Sequence, residues 1–318
     1  MIKFPHIDNF KSLERNVKTK TDFRGFDENG VPIYRHDELY PTITFIGTPK
    51  LHGTNAGIVR YPDGRTVFQS RERELSLLSD NAGFMGTYAS VDLDYLFNQP
   101  FNEYMAVFGE WCGGNIQKGV ALNQLPKMFV IFAVNVDGQW VDFSYADNQE
   151  LNIYTLSGLE QVVDIDFNNP DLSIVDELTQ RTSTKCPFCE RFRVIGIGEG
   201  YVWASENREY VFKSKNEEHK ISSSQGKEQK EKTADKGEQV FVAEVCNENR
   251  LENVLAGLLD LEGLAEPNIK LTGKFITRTV SDIVREEEVD ILSNQYDIEL
   301  VKKNITNIAK QWFLGKVK

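Results

Sequence analysis

The stretch Phe45–Tyr61, FIGTPKLHGTNAGIVRY, passes from an apolar run through a polar turn into a second apolar run, with Lys50 at the junction. Phe, Ile, Val and Thr favour extended backbone, whereas Gly and Asn interrupt it, so the stretch predicts two strands meeting around Lys50–Asn55. A lone lysine at a strand end is ordinarily a solvated charge. Gly53 points elsewhere, because a glycine in the turn lets the backbone come close to a ligand.

Outward from this stretch, the first two thirds of the chain repeat the pattern. TITFIG, NAGIVRY, TVFQS, MAVFGEW, MFVIFAVNV, VIGIGEGYVW and EYVFKSK are rich in Val, Ile, Phe, Tyr and Trp and bounded by Gly, Pro or Asn. They predict a mainly antiparallel sheet architecture. Helical spacing of apolar residues places packing helices near Ala82–Phe97 and Leu172–Thr179. From Lys220 to Lys236 the chain carries five lysines against three acids in a Ser-, Gln- and Lys-rich run, which reads as a flexible linker. Beyond it Leu251, Val254, Leu255 and Leu258 form one helical stripe, and Ile298, Val301, Ile305, Ile308 and Trp312 another. The expected organisation is therefore a sheet domain over residues 1–236, ending in the linker at about 220–236, and a small helical domain over 237–318.

The 318 residues suffice for two domains of ordinary size. No apolar run approaches the roughly 20 residues of a membrane span, and the N-terminus lacks a secretory apolar segment. Four cysteines are too few and too scattered for a disulfide framework, so the expected setting is a reduced, intracellular, cytoplasmic one. Cys186 and Cys189 form a lone C-x-x-C, read as free thiols in a loop because the segment after it continues as strand. A net charge of −12 argues against indiscriminate nucleic-acid binding, although a basic cleft can sit on an acidic body.

Lys50 has company. Arg71, Glu110, Phe132, Glu199, Lys213 and Lys215 each lie in or beside a strand-like run. Lys213 and Lys215, two apart, would place both ammonium groups on one strand face, an arrangement that repulsion and desolvation disfavour unless an anion such as phosphate lies between them.

In this order the motifs resemble those of the covalent nucleotidyltransferases, and among them the RNA ligase 2 family of phage nick-sealing and trypanosome RNA-editing ligases. KLHGTN is similar to the nucleophile motif with His52 where the superfamily usually has Asp, FGEWCGGNIQKGV to the third motif, EGYVW to the fourth and FKSKN to the fifth. ENRLENVLAGL and LVKKNITNIAKQWF resemble the family's helical C-terminal module. The resemblance implies an α+β fold, an antiparallel-sheet, ATP-grasp-like nucleotidyltransferase domain followed by a small all-helical C-terminal domain that binds RNA. It implies an ATP-dependent RNA ligase using Mg²⁺ or Mn²⁺, with Lys50 accepting AMP and passing it to an RNA 5′-phosphate for attack by a 3′-hydroxyl. The implied partners are RNA, expected as a nicked duplex, and ATP; a monomer without membrane attachment is expected.

By the same resemblance, Lys50, Lys213 and Lys215 are catalytic. Glu110 receives the ribose, Phe132 stacks on adenine, Glu199 holds metal, and Asn55 and Arg71 meet phosphate, with Arg73 a substitute for Arg71. Two departures stand out. Pro49 precedes the nucleophile where the family often has an acid, and Trp203–Ala204 follow EGYV where a basic residue is usual. They leave open a nucleic-acid-binding protein that has kept the fold and lost nucleotidyl transfer. DNA ligation and guanylyl transfer are the alternatives within the superfamily.

Overall fold

A computed structural model of the chain describes residues 1–36, 39–117, 119–216, 235–287, 290–291 and 296–317. Lys118 of the third motif, linker residues 220–234 and Lys318 lie outside the described residues.

The chain opens with β1 (Asp8–Asn9) and α1 (Phe10–Asp22), then the small hairpin β2 (Phe23–Phe26) and β3 (Pro32–Tyr34). Next come β4 (Thr42–Lys50), β5 (Gly53–Arg60), β6 (Thr66–Ser70), α2 (Phe84–Tyr88), β7 (Met105–Cys112), β8 (Met128–Val136) and β9 (Gln139–Val141). β10 (Ile153–Thr155), β11 (Gln161–Asp166), α3 (Ser173–Arg181), α4 (Pro187–Glu190), β12 (Gly200–Ser205) and β13 (Val211–Lys215) complete this part. The remainder is helical: α5 (Asp235–Val245), α6 (Glu248–Glu262), α7 (Thr272–Glu286) and α8 (Ile298–Lys316).

Two sheets carry the molecule. One runs β1-β13-β12-β4-β11, the other β10-β8-β7-β5-β6 with β9 on the edge of β8. All pairings are antiparallel except β1 with β13 and β10 with β8. The polar turn after Lys50 is thus the point at which the chain leaves one sheet for the other. Pro49 falls where β11, paired with β4 only as far as Gly47, has ended, so its missing N–H faces a side without a ladder.

Each sheet buries one face in a core of its own. Phe45, Tyr201, Trp203 and Phe212 pack with Leu13 and Val17 of α1 and Val175 of α3. Ile58, Val107, Trp111, Phe129 and Ile131 pack with Phe84 and Tyr88 of α2. Because side chains alternate along a strand, the opposite faces carry a different set, and that of the second sheet buries Val59, Ala106, Phe108 and Ala133 in one smaller cluster and Cys112, Met128 and Val130 in another. The helices form a separate core in which Leu251, Val254, Leu255 and Leu258 of α6 meet Phe275 and Ile283 of α7 and Val301, Ile305 and Phe313 of α8. Both predicted stripes therefore face inward, Ile308 and Trp312 from its margin.

Three segments depart from expectation. The helix near 82–97 is only the short α2 and a 3₁₀ turn at Asp94–Leu96. The run VIGIGEGYVW becomes strand only from Gly200. Before that, Gly196 has a positive φ and the backbone bonds across to neighbouring loops, Cys186 N to Gly196 O and Gly198 N to Thr182 O. Cys186 and Cys189 are free and buried as thiols, but α4 opens between them, with Cys186 Sγ accepting from Cys189 N at its N-cap.

Candidate active site

The register fixes which side chains share a face. Lys50 lies opposite Gly200 and Gly200 opposite Lys215; Thr48 lies opposite Val202 and Val202 opposite Lys213. Lys50, Lys213 and Lys215 therefore project together from the face away from the α1–α3 core, as the spacing of two predicts. Ser214 points the other way, into hydrogen bonds with Trp203 Nε1 (3.0 Å) and Thr179 Oγ1 (2.7 Å) that pin β13 beneath the two lysines. In the second sheet Asn55 lies opposite Glu110 and Glu110 opposite Val130, on the face turned away from Trp111 and Phe129. Phe132 is on this face too, at a bulge where β7 pairing steps from Ala133 to Ile131.

Glu199 is the hub. It is 3% exposed, and its carboxylate meets Lys50 Nζ at 2.8 Å, His52 Nδ1 at 3.2 Å and Lys215 Nζ at 3.6 Å. Burial works against its charge, but Lys50, His52 and Lys215 together hold the carboxyl well below the usual range. Gly200 makes this convergence possible: with φ +144°, a Cβ there would lie 2.0 Å from Ser214 O and 2.9 Å from Lys215 Cα. Glu110 accepts from Gly53 N at 3.0 Å, the close backbone approach that the turn glycine permits. Desolvation pushes the Glu110 carboxyl up to about 7, the Lys50 charge opposing and the Glu199 charge reinforcing. Burial, then the neighbouring Lys215 charge, lowers the Lys213 ammonium.

The remaining candidates divide. Arg71 faces the same region, Nη2 at 3.1 Å from Glu286 Oε1. Arg73 does not: it is buried and donates to Ser79 O (2.6 Å) and Asp80 O (3.1 Å), a clamp on its own loop. Phe132 is half-buried, its ring edge-on to Phe4 at 5.2 Å, with Arg208 near its carbonyl. Asn55 Oδ1 is buried and has no hydrogen-bond partner among the described residues, an acceptor next to Glu110 that only a visiting donor would satisfy.

His52 stands in the nucleophile motif without a role assigned to it there, and other neighbours have no signal in the sequence. His52 orients Glu199, and Phe4 backs Phe132 through an N-terminal segment tied down by Gln69, which exchanges two hydrogen bonds with the Ile2 backbone. Glu286 ends α7, Glu287 caps it and Asp290 lies a few residues beyond, some seventy residues after Lys215. Their approach is a matter of tertiary docking, which no local pattern encodes.

A family model described as RNA ligase matches residues 43–221, from the start of β4 to just past β13. The chain belongs to the RNA ligase family. All eight residues predicted for the site fall inside the matched span, which covers more than half of the chain. Among solved structures, Naegleria gruberi RNA ligase is similar in a lysine variant with ATP and Mn and in a glutamate variant with AMP and Mn, both at 15% identity and TM-score 0.41. Another lysine variant with ATP and Mn gives 15% identity and TM-score 0.42. The first two matches cover 68% of this chain and 56% of that one, so the chain spans a little over half the length of the ligases it matches. The third covers 69% and 58%. No curated protein matches the sequence.

Proposed function

We propose that the protein is an ATP-dependent RNA ligase whose Lys50 takes AMP from ATP, passes it to an RNA 5′-phosphate and sets that phosphate up for attack by a 3′-hydroxyl, sealing nicks in duplex RNA. The observation that carries the reading is the placement of Lys50 against buried Glu199 in a face that also holds Lys213 and Lys215, within reach of the Glu110 charge. An RNA ligase whose cations cluster around one lysine is built to hold phosphate at a nitrogen nucleophile.

Lys50 Nζ attacks the α-phosphorus, the bond to the β-phosphate oxygen breaks, pyrophosphate leaves with its electron pair, and the nitrogen gives up a proton to solvent. Lys213 and Lys215 spread positive charge over the phosphate oxygens. Asn55 Oδ1 and the Glu110 carboxylate offer acceptors that ribose hydroxyls would meet, the Asn55 amide N–H can donate to phosphate, and Phe132 offers a flat apolar surface for a base. The order is ATP in, pyrophosphate out, AMP to the RNA end, and AMP out as the strands join.

The donor set suits magnesium, which keeps most of its waters and needs one or two carboxylates plus substrate phosphates. Glu199 would hold the ion, which would neutralise phosphate charge and relieve Glu199 of its Lys50 partner. Among the described residues no group of three or more His, Cys, Asp or Glu is placed to hold a metal ion. Residues 1–236 act as the adenylyltransferase domain and 237–318 as the RNA-binding domain.

Incubation with α-labelled ATP and Mg²⁺ is expected to give a labelled protein that GTP does not give, and Lys50→Arg is expected to abolish it. A guanidinium keeps the charge but not the free amine. Label retained in Lys50→Arg would remove Lys50 as nucleophile. No label with any nucleotide would favour an RNA-binding protein that has lost transfer. Sealing of nicked RNA, RNA–DNA hybrid and DNA duplexes by the labelled protein then fixes the substrate.

A further inference from the structure

The cations of the candidate site are already occupied by the chain's own acids. Lys215 Nζ lies 3.8 Å from Glu287 Oε2 and 3.6 Å from Asp290 Oδ2, in addition to Glu199. Lys213 Nζ donates to the Glu286 main-chain carbonyl at 3.2 Å. Glu286 Oε1 meets Arg71 Nη2 at 3.1 Å and His6 Nδ1 at 3.3 Å. These acids are largely out of water, at 10%, 13% and 19% exposure for Glu286, Glu287 and Asp290. Arg250 of α6 braces the end of α7 from behind, with Nε on Asp282 at 2.9 Å and Nη1 on Glu287 at 3.1 Å. The acids therefore travel with the helical core.

Carboxylates on Lys215 and Arg71 and a main-chain carbonyl on Lys213 take the positions that the oxygens of a polyphosphate would need. The acids and a polyphosphate cannot share the site, since anionic phosphates brought to Lys213, Lys215 and Arg71 would face Glu286, Glu287 and Asp290 at close range in a poorly solvated place. We infer that the acidic end of α7 is an internal competitor for phosphate. The helical region closes the site in the absence of nucleotide, and an incoming polyphosphate displaces it. The inference rests on the nucleotide reading of the site and adds to it a closed, self-inhibited state.

The coupling is reciprocal: whatever weakens the α7 contacts tightens polyphosphate binding, and polyphosphate loosens α7. Two measurements on the full chain test this. In single-turnover lysyl-AMP formation, Glu287→Gln with Asp290→Asn is expected to lower the half-saturating ATP concentration by roughly 5-fold or more, a coupling of ordinary size. Glu286→Gln, which leaves the Arg250 brace intact, should act in the same direction. In the wild-type protein, inorganic tripolyphosphate with Mg²⁺ is expected to speed amide hydrogen exchange at residues 283–287. Unchanged or weaker ATP dependence in the variants, together with unchanged or slower exchange, would overturn the competitor and make the acids part of the nucleotide site. Faster exchange with no lysyl-AMP in any protein would retire the ligase reading while leaving the competitor standing.

Discussion

Glu110 and Glu199 face the same lysine, and their surroundings drive them apart. Glu199 has three cationic or hydrogen-bonding partners within reach and stays ionised; Glu110 has one backbone donor and a desolvated pocket, and its pKa rises to about 7. For Glu110 the consequence is a stability cost that depends on pH. A carboxyl whose folded pKa lies above its unfolded value of about 4.5 keeps a proton that the unfolded chain has released, so the stability it contributes is full below about pH 4.5 and is lost as pH rises towards 7. Glu110→Gln carries no such loss and its amide oxygen can still accept from Gly53 N. The variant should therefore gain on wild type between pH 4.5 and 7, by on the order of 1–3 kcal/mol, and hold that gain above pH 7. Urea denaturation of both proteins at pH 5 and pH 8 checks this. A difference that is the same at both values would show that Glu110 does not titrate in this window.

At the scale of elements, Gly200 is the hinge on which the site's geometry turns. It puts β12 hard against Ser214 and Lys215 at the point where Glu199 enters from the preceding loop. A methyl group there would strike backbone atoms, which cannot step aside as a side-chain tip can. Gly200→Ala is expected to destabilise the protein by roughly 2 kcal/mol or more, and to slow lysyl-AMP formation beyond what partial unfolding explains. Thermal unfolding and labelling at a temperature where the variant is folded separate the two effects. Full stability with full labelling would mean that the strands part freely here. Elements of this kind differ in how far they can be read from sequence. β6 and β8 match their runs end to end, because Val, Phe and Ile in unbroken or alternating order leave few other choices. α1 is harder to read by the same rule: FKSLERNVKTKTD offers Phe10, Leu13 and Val17 to the core among mostly polar residues, and its start depends on an Asn9 cap that accepts from Ser12 N. The candidate site was legible wherever a residue lay in a strand or its turn, as Lys50, Lys213 and Lys215 do. Phe4 and Glu286 were not, because their places are set by docking across the fold.

On the scale of the whole molecule, the chain is acidic at −12 yet gathers Lys50, Arg71, Lys213 and Lys215 on one side and answers them with acids from α7. The two parts have separate cores, since the cluster that unites α5–α8 contains no residue before Phe241 and the four sheet-region clusters none after Phe212. α5 starts at Asp235 and its Phe241 and Val242 sit in the helical core, so a cut that keeps α5 whole falls near residue 234. Residues 1–234 are expected to fold and to form lysyl-AMP with ATP and Mg²⁺ at least as readily as the full chain, because the acids over Lys213 and Lys215 have gone with α7. Joining is a different matter. Lys302, Lys303, Lys310 and Lys316 lie along α8, and Lys302 and Lys316 pair with exposed carboxylates, Glu299 and Glu252, that phosphate can replace. If these lysines hold the duplex, the full chain's affinity for nicked RNA should fall steeply with salt as counterions are released, whereas the shortened chain should bind weakly at any salt and seal roughly 10-fold or more slowly. Equal sealing rates for the two proteins would take the helical region out of RNA binding and leave it only the task of closing the site.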